Sequence, residues 1–459
     1  MFKDAVLDAL ADRANVAQFV SFGPDSQQRH SCVRGYAKNH AFSTMMKAIS
    51  SLLAASPDGS VNVRSFKPDS PQGNAFHYGL RSVSEAVAHA ENLTASGLYV
   101  IVNETVDVND GGVSGVLFGG CVEFAPGQVP RFVEKDNANP VPAMPATIAM
   151  RMLETVYGFP VGLVGYTGRR VEFSVHPKAR GWMKSHVIVW EDGEDSAVVA
   201  PFFSWPNPFS QMIGDKAYGL LVAHLLGFPV PRTVVFPRTP KVGAFAFGEP
   251  TGTARVWTRT APRVQEPGKY TTVRGWLDPH ALMHADDPQG MAIASCLIQD
   301  EVASQYSGAL LTGSDGVQIL DAVSGFGDAF MVGSDAPVCD VPKSVAYDVR
   351  TLHEALCRAL GPVRFEWAHD GERAWVLQLH KGASESCGRV VYPGDAAEWV
   401  NFVPADGLQA LRKIAARAKA SGHGVVVAGN VGMSSHICDV LRKARVPSVL
   451  DGVTKEARQ

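Results

Sequence analysis

The stretch GDKAYGLLVAHLLGFPVPRTVVFP, Gly214 to Pro237, decides how this chain is read. From Lys216 to Gly227 the apolar residues recur at helical spacing, and Gly227 is a typical stop. Pro229 and Pro231 follow, and then the β-branched run of a strand. A lysine that opens such a helix–strand unit is either a solvated surface charge or a point charge for phosphate oxygens. Its surroundings in the chain bear on which.

Downstream, ARVWTRTA, ASCLIQDEV, SGALLTG and VQILDAV read as strands. SVAYDVRTLHEALCRALG reads as a helix ending at Gly361. It leads into VRFEWAHDGERAWVLQLH, a pair of strands around an Asp-Gly turn. A helix from Gly407 to Lys419, the apolar strand GVVVAGN, a Gly-rich turn and a helix from Ser435 to Lys443 complete this side.

Upstream, residues 3–20 and 41–54 show helical periodicity. VNVRSF (Val61–Phe66), GLYVIVNETV (Gly97–Val106) and VSGVLFGG (Val113–Gly120) read as strands, and ATIAMRMLETVYG as a helix ending at Gly158. RRVEFSVHP and HVIVWE read as a strand pair, followed by an acidic turn, Asp192 to Asp195. The Pro-rich stretch from Pro201 to Phe209 looks like a junction. The order repeats across it. Arg64 and Arg259 each sit in a strand before a polar turn, NETV and QDEV each end a β-rich run, and SGVLFGG and SGALLTG each follow. Glu172 and Glu366 then follow a helix with a glycine stop. We read this as a degenerate internal duplication.

A chain of 459 residues suggests about three domains at ~150 residues each. The expected borders are 1–199, 200–392 and 393–459. The composition, 46% hydrophobic and 19% charged, is that of a soluble globular protein with material for buried cores. Lys+Arg 42 against Asp+Glu 45 leaves no basic excess, so nucleic acid is not an expected partner. Seven scattered cysteines without a CxxC pair argue against a disulfide framework or zinc site and for a cytoplasmic compartment. The charged N-terminus is not a signal peptide, and no apolar run reaches the ~18 residues of a membrane span. His77, His176 and His186 have no ligand spacing and are expected to be structural or surface residues. A homo-oligomer is compatible with the sequence.

The region from about Gly214 to Lys381 resembles the ATP-grasp nucleotide-binding module of phosphoenolpyruvate synthase and pyruvate phosphate dikinase. Lys216, Leu220, Gly227, Val230 and Pro231 stand where that family has its opening lysine, helix and strand entry. VWTRTAP resembles its arginine element, with Arg259 in the arginine position and Thr260 and Ala261 where it has two serines. CLIQDEV resembles its hinge strand, which would place Gln299, Glu301 and Val302 on the adenine side. ILDAVSGFGDAFMVG resembles its acidic, glycine-rich run, with Asp321 and Asp328 in place of two glutamates. FEWAHDGERAWVLQLH resembles its closing hairpin. Glu366 and Gln378 match, and His380 and Lys381 replace an Arg-Pro pair.

The resemblance implies an α/β (α+β) fold of ATP-grasp-like modules with mixed sheets and a small C-terminal α/β segment. It implies ATP and Mg²⁺ as cofactors. Lys216 and Arg259 would hold phosphates, the guanidinium through paired hydrogen bonds. Asp321, Asp328, Glu366 and Gln378 would support the metal, with Asp328, Glu366 and Gln378 as its ligands. AGNVGMSSHICDVLRKARVPSVL further resembles the core of the phosphohistidine swivelling domain, with His436 in the histidine position. A histidine at a glycine-rich helix start is well placed to accept a phosphoryl group. A structural role and a nucleotide-contacting role for His436 stay open at this point. In the first half Arg64, Glu104, Glu172 and a metal-side Glu191 remain, without a counterpart of Lys216.

The leading expectation is an ATP- and Mg²⁺-dependent phosphotransferase with a small-molecule or protein acceptor other than pyruvate. A nucleotide-binding regulatory module and an ATP-grasp ligase forming an acylphosphate are the alternatives.

Overall fold

The computed structural model describes residues 2–68, 75–129, 141–166, 168–194, 199–239, 241–327 and 341–451. The chain divides into two compact units, Met1–Phe209 and Ser210–Gln459.

In the first unit, β1 (Phe19–Phe22), β2 (Gln28–Cys32), β3 (Val61–Phe66), β4 (Phe76–Leu80) and β5 (Tyr99–Glu104) form a sheet of order β2-β1-β5-β3-β4. A second sheet joins β6 (Val113–Phe118), β7 (Cys121–Pro126), β8 (Val141–Pro145), β9 (Arg169–Arg180) and β10 (Ser185–Glu194) in the order β10-β9-β6-β7-β8. The helices Met45–Ala55 and Val83–Ala95 lay Ala48, Ile49, Leu52, Ala86 and Ala90 on Val20, Val61, Val63, Val100 and Val102. The first of them starts where it does because the Thr44 side chain accepts the Lys47 N–H.

The second unit repeats this plan. β11 (Thr233–Pro237), β12 (Phe245–Phe247), β13 (Val256–Pro262), β14 (Thr272–Arg274) and β15 (Ile293–Asp300) form a sheet of order β12-β11-β15-β13-β14. That is the order of the first sheet, strand for strand. β16 (Tyr306–Thr312), β17 (Gln318–Ser324), β18 (Val363–His369) and β19 (Ala374–Lys381) follow as β17-β16-β18-β19, matching β7-β6-β9-β10.

The repeat extends to register. Gly115 faces Phe173 across β6 and β9, and Gly308 faces Trp367 across β16 and β18. A Cβ on Gly308 would lie 2.0 Å from the Asp321 carbonyl oxygen, so the glycine of both Ser-Gly strands is required by close backbone approach. Each sheet also has a bulge at the same place, at Trp190 beside Glu191 and at Leu377 beside Gln378. The duplication inferred from sparse sequence identities is therefore a duplication of topology.

All of these pairings are antiparallel. The fold is α+β, and among the described strands mixed pairing is confined to the C-terminal sheet. That sheet holds β20 (Val390–Tyr392), β21 (Trp399–Phe402), β22 (Gly424–Val427) and β23 (Ser448–Leu450) in the order β20-β23-β22-β21. Its β21–β22 and β22–β23 pairs are parallel. The helices Gly407–Ser421 and His436–Ala444 cover it with Leu411, Ala415, Ile437 and Leu441.

Two expectations are corrected. The helix expected over 3–20 ends at Leu10, and Phe19–Phe22 is a fully buried strand. Asn15 cannot stay in that helix, because its amide donates to the carbonyls of Arg180 (3.1 Å) and Val187 (2.7 Å). The acidic turn expected from Asp192 instead continues β10 as far as Glu194. There the Asp192 side chain is 1% exposed and ion-paired with Arg13 and Arg169. Asp195 lies outside the described residues.

The three unassigned histidines have structural contacts. His176 is buried between Asp110 (2.8 Å) and Ser174 (2.7 Å), His186 Nδ1 lies 2.9 Å from the His176 carbonyl oxygen, and His77 stacks on His89.

Candidate nucleotide site in the second unit

Antiparallel residues that face each other project to the same side of a sheet. Ala309 on β16 faces both Asp321 on β17 and Glu366 on β18, and Glu366 faces Gln378 on β19. Asp321, Ala309, Glu366 and Gln378 therefore form one transverse row. The small Ala309 leaves space between the acids. Val116, Glu123, Glu172 and Glu191 make the corresponding row in the first unit.

Lys216 is the second residue of the helix Asp215–Leu225. That helix starts at Gly214, where φ is +97° and a Cβ would lie 2.8 Å from Ala261 Cβ and 2.9 Å from Ser295 Oγ. Only glycine lets the helix start press this closely on β13 and β15. Burial, and then the nearby Arg259 guanidinium, push the Lys216 ammonium down to about 8, against the opposing pull of Glu366, Asp215 and Asp286. Burial likewise lowers Arg259, with Glu366 opposing. Arg259 is 8% exposed and donates to the Leu377 carbonyl oxygen at 3.3 Å, but its buried Nε has no acceptor. Two crowded cations, one with an unmet donor, are what a site for a polyanion requires.

These groups line a cavity of about 460 Å³. Its wall includes Lys216, Arg259, Gln299, Val302, Glu366, Gln378 and His436. The volume falls in the ordinary range for small-ligand sites, about 300–1,000 Å³. Gln299 and Val302 stand at the end of β15, where the Gln299 amide donates to Thr233 Oγ1 at 3.3 Å. Gln378 is buried, with its amide nitrogen 2.5 Å from His380 Nε2, so Oε1 is the atom left for the cavity. His380 Nδ1 lies 3.4 Å from Asp215, which ties the start of the Lys216 helix to β19.

Glu366 and Gln378 supply two oxygen donors side by side. That set fits Mg²⁺, which usually takes one or two protein oxygens and completes its shell with phosphate and water. Among the described residues no group of three or more His, Cys, Asp or Glu is placed to hold a metal by itself.

Other expected residues lie elsewhere. Glu301 is not in the cavity wall; its carboxylate takes a two-point ion pair from Arg274 (2.5 and 2.8 Å). Asp321 is also absent from the wall, and its Oδ2 accepts both the N–H and the Oγ–H of Ser434. Asp328 lies outside the described residues.

His436 opens the last helix, with Ser435 as its cap. The loop Gln265–Gly268 passes against it. Arg412 donates to the Pro267 carbonyl oxygen and Lys443 to that of Gln265. The C-terminal segment thus forms part of the cavity wall. Sequence reading missed Asp439, Ser434, Trp257 and Phe326. Trp257 and Phe326 bring aromatic faces to the cavity, 6.2 Å apart. The signal for Asp439 is its place three residues after His436, one helical turn on.

No protein-family model matches the chain, and no curated protein does. Among solved structures it is similar to the RimK domain ATP-grasp protein of Sphaerobacter thermophilus, at 15% identity and a TM-score of 0.23, over 37% of this chain and 58% of that one. It is also similar to D-cycloserine synthetase, at 18% identity and a TM-score of 0.25, over 43% of this chain and 62% of that one. The chain thus spans less than two thirds of the length of either. Among the described residues no helix is long and apolar enough to cross a membrane.

Proposed function

We propose that the second unit is an ATP- and Mg²⁺-dependent phosphotransferase site, related in plan to the nucleotide-binding part of phosphoenolpyruvate synthase, with His436 as phosphoryl acceptor. The observation that carries this reading is the cavity itself. It gathers Lys216, Arg259, Glu366, Gln378 and His436 from elements spread over more than two hundred residues of sequence.

Each group has a task that its place supports. Lys216 and Arg259 hold and orient phosphate oxygens, and the charge they bring offsets charge on the phosphoryl group in transit. Glu366 and Gln378 would hold Mg²⁺, which when bound supplies further neutralisation of the phosphates. The main chain at Gln299–Val302 takes the base, with Trp257 and Phe326 covering its faces. The phosphoryl group would then pass from His436 to a small-molecule or protein acceptor.

Phosphorus NMR of the full chain with Mg²⁺ and ATP, beside His436→Ala, tests the reading. AMP and phosphate from the wild type alone, with an acid-labile phosphoprotein, is the expected result. ADP formed equally by both proteins would favour an acylphosphate-forming ligase. Unchanged ATP in both would overturn autonomous phosphotransfer and favour a regulatory nucleotide-binding module.

A further inference from the structure

Two buried polar atoms face each other at the base of His436. His436 Nδ1 has no hydrogen-bond partner, and neither does Asp439 Oδ2. They lie 3.8 Å apart. The His436 side chain is 20% exposed, and that of Asp439 only 3%. Since Nδ1 is buried, the imidazole reaches the cavity by its opposite edge, which carries Nε2 and Cδ2. Gly268, on the cavity wall, sits against that edge, and a Cβ there would lie 3.2 Å from His436 Cδ2.

Asp439 is held from its other side. Its Oδ1 accepts from Arg364 of β18 and from Arg442 Nη1 at 2.6 Å. Arg442 is itself fixed by Ser386 Oγ at 2.8 Å. Burial acts to raise the Asp439 carboxyl, but Arg364, His436 and Arg442 together hold it well below the usual carboxylate range. A carboxylate that stays ionised can only accept, so its free Oδ2 selects the tautomer of the ring it faces.

We propose that Asp439 is the positioning residue for His436: its Oδ2 accepts the Nδ1–H, fixes the imidazole in that tautomer, and leaves the Nε2 lone pair aimed into the cavity as the phosphoryl acceptor. The inference rests on the reading of the cavity as a phosphoryl-transfer site. Closing the 3.8 Å gap to hydrogen-bond length needs a shift of about 1 Å, the kind of tightening that catalytic contacts show when substrate arrives.

In the transfer step the Nε2 lone pair bonds to the β-phosphorus of the nucleoside triphosphate as the α–β bridging P–O bond breaks, its electron pair leaving on AMP. Water then takes the terminal phosphoryl group of the pyrophosphorylated histidine, so that phosphate leaves and phosphohistidine remains. No proton leaves the ring. Nδ1 keeps its hydrogen, and the positive charge that develops on the imidazole lies against the Asp439 carboxylate.

Two measurements on the full chain test this. The first needs no activity. Long-range ¹⁵N–¹H correlation of histidine-labelled protein at pH 7.5, with His436→Ala for assignment, reads the ring tautomer directly. The expected result is a protonated Nδ1 and a bare Nε2, and a protonated Nε2 with bare Nδ1 would overturn the proposal. The second is single-turnover phosphorylation with radiolabelled ATP and Mg²⁺. Asp439→Ala should slow phosphohistidine formation roughly tenfold or more, with the Kd for ATP changed less than about twofold, as expected for loss of a residue that orients another. Asp439→Asn, whose amide oxygen stays on Arg364 and Arg442 and whose NH2 then faces Nδ1, should favour the Nε2–H tautomer and slow phosphohistidine formation as Asp439→Ala does. Phosphorylation of Asp439→Ala at the wild-type rate would overturn the proposal. A wild type that forms no phosphohistidine, yet shows the Nδ1–H tautomer, would overturn the functional reading and leave the positioning role standing.

Discussion

Asp321 Oδ2 accepts two hydrogen bonds from one residue, the main-chain N–H and the side-chain Oγ–H of Ser434, each at 2.7 Å. The pair joins the β17 end of the transverse row to the glycine-rich turn before the His436 helix. Ser434 is fully buried, so removing its acceptor leaves two donors unmet. Asp321→Ala should destabilise the second unit by about 2 kcal/mol, measured by urea unfolding. Asp321→Asn, which keeps an acceptor, should cost less. Under the proposed function, Asp321→Ala should also lower phosphohistidine formation while ATP still binds.

Lys216 carries a cost that a ligand would relieve. Burial and Arg259 lower its ammonium to about 8, below the ordinary 10.5 of an unfolded lysine. Between those values the unfolded chain binds more protons than the folded one, so this group's contribution to stability rises with pH there. Below about 8 the charged form is buried and the penalty is complete. Lys216→Met should therefore raise the melting temperature at pH 7, by roughly 2–4 °C for a gain of about 1 kcal/mol. That advantage should shrink between pH 8 and 10. The same variant should lose ATP binding, seen by calorimetry.

Nucleotide binding should also be linked to protons. A polyphosphate beside Lys216 favours the ammonium, so ATP binding near pH 8 should draw a proton from solution. Calorimetry in two buffers of different ionisation enthalpy reads this uptake. Binding without proton exchange would show that phosphate does not reach Lys216.

Arg259 presents a guanidinium whose Nε lacks an acceptor. Lysine keeps the charge but not the planar fork. Arg259→Lys should weaken ATP binding by roughly 10-fold, followed by tryptophan fluorescence because Trp257 lines the cavity, with a smaller effect on stability.

Gly268 has φ +57°, and a Cβ there would fall 2.2 Å from Leu408 Cδ1 and 3.2 Å from His436 Cδ2. Gly268→Ala adds strain of about 1–2 kcal/mol in the left-handed region and pushes on both side chains. It should slow phosphohistidine formation more than it weakens ATP binding. Adding Leu408→Ala should recover part of the stability, since the two substitutions share one contact.

Much of this protein is legible in the chain of residues because backbone state is encoded locally. The strand VNVRSF is β3 without a residue of difference, and the helix ending at Gly361 runs from Lys343 to Leu360. The two Ser-Gly strands already signal a repeated plan, since a glycine in a strand marks a close approach. The types of residue suited to a polyphosphate are also visible without coordinates.

Tertiary structure decided which of those residues meet. Asn15 ends the first helix early because its partners, the carbonyls of Arg180 and Val187, lie more than 160 residues away. Register and the bulge at Leu377 bring Glu366 opposite Gln378. Glu301 is drawn aside by Arg274, Asp321 is taken by Ser434, and His436 reaches the cavity wall beside Gly268. A sequence pattern sets which face of an element is apolar and which residues are charged. Which charges become neighbours depends on strand register and on contacts distant in the chain, and those are settled only when the faces pack.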